Sequence, residues 1–130
     1  MSIGLGHWLA VALGGGLGAM GRLWVVHQVN RLQGGHFPWG TLTVNAVGSF
    51  IIGLAFVFFA IKHTDLSSGW RSFLIVGVLG AFTTFSSFAL ESLVLLQEHH
   101  YLSAALYMAG SVLICLMAVA LGFGAGKLIF

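Results

Sequence analysis

Charge is what this chain has least of. Of 130 residues, five are Lys or Arg and three are Asp or Glu, so 6% are charged. Soluble proteins carry roughly 25%, and a soluble domain of this size is excluded. There is one proline, Pro38, and one cysteine, Cys115. A single cysteine rules out an internal disulfide and leaves the redox compartment unreadable. A formal charge of +2 is too small to argue for nucleic acid. The isoelectric point near 9.1 rests on those five basic side chains alone. Also missing are a nucleophile–base pair, a zinc-ligand spacing and a phosphate loop, so the residues point away from an enzyme.

What fills the chain instead is apolar: 58% of it is hydrophobic. About 20 residues cross a bilayer's hydrocarbon, and four runs are long enough, at 8–29, 39–61, 70–96 and 102–129. The expected architecture is an all-α membrane protein of four transmembrane helices, with residues 1–130 as a single integral membrane domain. Met1–Gly6 carries no Lys or Arg. It therefore lacks the basic start of a secretory signal, and the first run is expected to stay. Trp8, Trp24, Trp39 and Trp70 lie near span ends, where aromatic belts form.

Small and polar residues pattern these spans. Gly14, Gly18 and Arg22 share one helix face, and glycines so spaced let another backbone approach. Arg22 either snorkels to the interface or anchors a polar interior. The first connection, Asn30–Phe37, holds Gly34-Gly35 and ends at Pro38, which is tolerated in a first helical turn. Thr41, Asn45, Ser49 and Gly53 form a polar stripe on the second span. The second connection, Lys62–Gly69, offers Ser67 or Ser68 as an N-cap. His99-His100 in the third connection reads as a solvated loop, since sequence neighbours do not share a helix face. In the last span Tyr107, Ser111 and Cys115 repeat every fourth residue, followed by Gly122-x-x-x-Gly126 as a close-packing patch.

The third span carries the unusual stretch, G-A-F-T-T-F-S-S-F over 80–88. Four hydroxyls (Thr83, Thr84, Ser86, Ser87) follow Gly77 and Gly80, and Phe82, Phe85 and Phe88 recur every third residue. Glu91 follows on the same side. Glycine costs about 1 kcal/mol against alanine in a helix, and these hydroxyls compete for backbone bonds. A broken helix is expected here, and such backbone survives at membrane depth only inside protein or beside a cavity. The donors available across the spans are Asn45, Thr83, Thr84, Ser86, Ser87, Ser111 and Tyr107. The Phe ring edges are electropositive and can help hold an anion without a fixed charge that would trap it. Such a path suits a small hydrogen-bond-accepting species.

Loop charge gives no preferred orientation. Lys62, Arg71 and Lys127 fall on one side of a four-span arrangement, Arg22 and Arg31 on the other. The positive-inside rule needs a clear excess, so insertion both ways, as an inverted homodimer, is expected.

The runs G-G-G-L-G-A-M-G-R (14–22), P-W-G-T-L-T-V-N-A-V-G-S-F (38–50) and G-A-F-T-T-F-S-S-F-A-L-E (80–91) resemble the signatures of the Fluc fluoride channel family, also called CrcB. The resemblance covers nearly the whole chain. It implies a passive, fluoride-selective channel in the bacterial plasma (inner) membrane, exporting fluoride and giving fluoride resistance. It also implies an antiparallel, dual-topology homodimer in the lipid bilayer, with two pores and a broken third helix. By the same resemblance Asn45 is the pore-lining amide and Phe85 and Phe88 are the fluoride-facing rings. Ser86 and Ser87 extend the polar track, Arg22 sits near a vestibule, and Glu91 is the acid after the motif. The resemblance further implies that backbone carbonyls of Gly80 and Thr83 from both subunits hold a structural sodium ion, Na+, at the dimer interface. Ala81 and Ser87 stand where the family commonly has glycine and threonine. Fourth-span contacts align poorly, so Tyr107 and Ser111 are candidates from periodicity. The alternative is a small proton-coupled, dual-topology multidrug exporter. That would need an embedded carboxylate, ideally in the first span, where none exists.

Overall fold

The computed structural model describes residues 2–130, and every element in them is helical. Helix α1 spans Leu5–Gln33 and α2 spans Trp39–Lys62. Helix α3 covers 68–82, α4 covers Phe85–Gln97, and α5 covers Tyr101–Ile129. Taken together, α3 and α4 make the third of four segments long and apolar enough to cross a membrane, Ser68–Gln97. All four outrun the expected spans at one end or both. At 1.5 Å per residue, α1 and α5 are each about 40 Å long.

Large apolar residues are exposed far more often than in a soluble protein. Leu9, Leu13, Leu17, Met20 and Leu23 of α1 are exposed, as are Leu113, Leu116 and Leu121 of α5. Gly14 and Gly18 are buried, and so are Thr41, Ser92 and Ser111. Lipid is an adequate solvent for leucine, so the interior need not take every large apolar side chain. It combines Val44, Val57, Phe59, Leu79 and Leu95 with small residues and groups that need hydrogen bonds.

Two backbone-to-backbone crossings hold the bundle together. Helix α1 packs most extensively on the third segment, and α2 packs on α5. A Cβ on Gly14 would strike the Phe73 carbonyl oxygen, and one on Gly18 the Val78 carbonyl oxygen. At the second crossing a Cβ on Gly53 would strike the Val119 carbonyl oxygen, and one on Gly122 that of Phe50. The glycine faces read from sequence thus each meet a partner helix, and Gly126 sits against Val57.

Two stretches, Val57–Lys62 and Ser72–Leu79, are wound in the wider π manner. Arg71, between them in sequence, donates from Nη2 to the Phe59 carbonyl at 3.4 Å. The turn before α3 corrects a smaller expectation. Ser67 occupies the N-cap position, but no side chain caps there. Ser68 Oγ instead meets His7 Nε2 at 2.7 Å, tying that turn to the start of α1.

Candidate functional site

Helical winding stops at Phe82 and resumes at Phe85. Between them Thr83 (φ −91°, ψ 157°) and Thr84 (φ −152°, ψ 116°) are extended. Asn45 on α2 holds this interruption open. Its Nδ2 donates to the Thr84 carbonyl at 3.0 Å, and the Thr84 N–H donates to its Oδ1 at 2.7 Å. An amide has two N–H donors, so one remains for a guest. Thr84 also caps α4, its Oγ1 accepting the Ser87 N–H at 3.1 Å, with Ser86 Oγ 3.2 Å away. The hydroxyl of Thr83 bonds back to the Leu79 carbonyl at 3.0 Å, the bland behaviour for a membrane threonine.

These bonds leave two carbonyls without their usual donors. In a continuous helix the Thr84 N–H would bond Gly80, and the Ser87 N–H would bond Thr83, each four residues back. Here the first donor goes to Asn45 and the second to the Thr84 hydroxyl. The neighbouring Ala81 carbonyl is occupied differently, by Arg22 Nε at 3.0 Å. Arg22 therefore binds the edge of the interruption from α1 rather than extending freely to an interface.

Beside the interruption runs a groove of about 400 Å³, lined among others by Asn45, Thr84, Phe85, Phe88, Ser111 and Cys115. The Phe85 and Phe88 rings lie 5.4 Å apart and tilted by 45°. Phe85 is 78% exposed, whereas Phe88 packs 5.2 Å from the Tyr107 ring. Ser111 is buried, and its hydroxyl has no hydrogen-bond partner among the described residues. None of the groove's lining residues carries a formal charge. Ser86 and Ser87 are close to the groove in sequence but do not line it.

Glu91 forms a second cluster. Thr41 Oγ1 donates to Glu91 Oε1 at 2.6 Å, and the buried Tyr107 hydroxyl reaches the same oxygen at 3.5 Å. Thr41 was visible only as the first member of the polar stripe on α2, and its link to Glu91 spans 50 residues. Glu91 also lines a second cavity of about 310 Å³ together with Asn30, His36, Phe37 and Glu98. The His36 ring stacks on His100 at 3.9 Å beside that cavity, so His100 is packed against the first connection rather than simply solvated. Tyr107 stands between the two hollows, its ring toward Phe88 and its hydroxyl toward Glu91.

Chemically, the site offers one free amide donor, one unpartnered hydroxyl, ring edges and two under-bonded carbonyls. It can take a small anion at the donors and a small cation at the carbonyls. No group of three His, Cys, Asp or Glu able to hold a metal occurs among the described residues.

Known proteins are similar to this chain along most of its length. Residues 9–123 match the family model described as CrcB-like protein, Camphor Resistance (CrcB). A protein of Hahella chejuensis is 45% identical over 123 residues, covering 95% of this chain and 96% of the relative. Relatives from Aeromonas salmonicida (48% identical; 88% and 91% covered) and Hydrogenovibrio crunogenus (49%; 94% and 92%) are equally near. All three bear the name fluoride-specific ion channel FluC. With four membrane-crossing segments and a match over most of its length, the chain is a multi-pass integral protein of the bacterial inner membrane and belongs to the CrcB-like family.

Proposed function

We propose that this chain forms a passive, fluoride-selective channel that lets fluoride leave the cytoplasm. The observation that carries the reading is the uncharged groove. It sets the Phe85 and Phe88 rings beside the Asn45 amide and the unpartnered Ser111 hydroxyl. Fluoride gives up strong hydration on entering a membrane, and small, well-aimed donors offset that loss. A conduction site must also release its ion, which ring edges and neutral donors permit and a fixed cation does not. The curated relatives' names agree with this assignment.

The working unit in this reading is an inverted homodimer. Phe85 stands 78% exposed at the open side of the groove, where a second copy closes it. The near-even split of basic residues, three against two, supports insertion in both orientations. The interruption at Thr83 and Thr84 is then the break in the third span, repeated across a two-fold axis. The carbonyls of Gly80 and Thr83, both without their helical donors, fit a hard monovalent cation such as sodium. Four such oxygens, two per subunit, would coordinate that cation, and the cation neutralises carbonyl dipoles that lipid cannot.

Ion flux through a planar bilayer tests the reading. Currents are expected to reverse at the fluoride equilibrium potential, with chloride scarcely conducted. A reversal potential that follows the proton gradient at fixed fluoride would point to coupled transport instead.

A further inference from the structure

The last span's polar stripe ends in a residue that the function above leaves unused. Cys115 follows Ser111 by one helical turn, about 6 Å along α5, and it is only partly buried. Both side chains line the 400 Å³ groove, together with Asn45 and Phe88. Ser111 is nine-tenths buried and its hydroxyl is without a partner among the described residues. A buried, unanswered hydroxyl beside a hollow marks a place shaped for a guest, since such groups are otherwise satisfied. The thiol therefore opens onto the same space as the site's own donors.

The groove that Cys115 lines is apolar or neutral: Ile52, Leu79, Val112 and Leu116 share its walls, and no His, Asp or Glu is among the lining residues. A hard divalent ion finds no ligand set here. A soft, thiophilic monovalent ion needs only the sulfur. We infer that Cys115 is a binding site for soft monovalent cations of the silver or cuprous class, and that occupancy plugs the conducting groove. The step is a simple exchange: the S–H bond breaks, a sulfur–metal bond forms, and the proton passes to water. No electron transfer is involved. The plug itself rests on the groove being the fluoride path, as proposed above; binding at the thiol does not.

Silver ion is the probe, in chloride-free nitrate buffer, with purified full-length protein in vesicles. Each protein's fluoride efflux is compared with its own untreated rate, and intact mass under non-denaturing conditions reads silver incorporation. The wild-type protein is expected to take up one silver ion and lose its efflux, with recovery on adding excess small thiol. Cys115→Ser and Cys115→Ala are expected to take up one silver ion fewer than the wild type under the same conditions and keep their untreated rates. Folded protein that incorporates no silver overturns the site. Silver bound at Cys115 with efflux unchanged overturns the plug, as does equal inhibition of the wild type and both variants. If untreated protein moves no fluoride, the channel reading fails, while the mass measurement still decides whether the thiol binds silver.

Discussion

Asn45 and Thr84 exchange two hydrogen bonds, amide to carbonyl and N–H to amide oxygen, across 39 residues of sequence. This one side chain replaces the helical bonds that Thr84 would otherwise make, and so keeps the third segment interrupted between Phe82 and Phe85. The consequence is chemical as well as geometric. While Asn45 holds the Thr84 N–H, the Gly80 carbonyl lacks its helical donor, which the proposed sodium site requires. Removing the amide lets that N–H return to Gly80, four residues back.

Asn45→Ala is therefore expected to abolish fluoride efflux and to erase the sodium dependence of dimer stability together. Each buried group left unpaired costs about 1–3 kcal/mol. The measurement is a sodium titration of dimer thermal stability, with a large organic cation as replacement. The wild type should gain stability with sodium. A variant retaining the wild-type sodium response would separate the amide from the carbonyl site.

Replacing a Phe with Ile keeps apolar bulk and removes the ring quadrupole. Phe85→Ile and Phe88→Ile are expected to remain dimeric by size exclusion but to pass fluoride far more slowly. Near-normal efflux in both would reduce the two rings to packing. Phe88 is the more demanding case, because its ring also supports Tyr107 at 5.2 Å.

The helix crossings predict a sharp contrast among glycines. Gly18→Ala drives a methyl into the Val78 carbonyl and should destabilise the fold by about 1–3 kcal/mol. Nothing lies within 4 Å of a Cβ on Gly16, so Gly16→Ala should be neutral or favourable by up to about 1 kcal/mol. Thermal unfolding in detergent distinguishes them. A Gly18→Ala protein as stable as Gly16→Ala would mean the two helices can separate freely.

Inverted insertion is checked by accessibility. A single cysteine appended at the C-terminus in a Cys115→Ser background is expected to react with a membrane-impermeant reagent from both faces. Labelling from one face alone would exclude the antiparallel dimer.

Composition and run length were enough to read four helical segments, because lipid imposes both on any chain that crosses it. The glycine faces were legible for the same reason: Gly14 and Gly18 stand out against a leucine background. What those glycines touch was not legible. Contact with Phe73 and Val78 depends on which helices become neighbours, and periodicity within one helix says nothing of that. At the site, Asn45, Phe85 and Phe88, singled out by motif, and Ser111, singled out by periodicity alone, line one groove. Thr84 carried a hidden second role, since a hydroxyl reads alike in sequence as a donor to a guest or as a helix cap. Thr41 went unassigned because its bond to Glu91 joins two stripes on different spans. The His36–His100 stack likewise joins loops that lie far apart in the chain.

The crossings also bear on how the protein is made. Helix α1 packs chiefly on the third segment and α2 chiefly on α5, so neither has its sequence neighbour as main partner. During synthesis the first two segments enter the bilayer with their glycine faces still covered only by acyl chains. They must wait there until the second half of the chain leaves the ribosome. Lipid thus acts as a temporary stand-in for the missing helices, and a truncation after Lys62 would leave two spans that touch each other but lack the main partner of each.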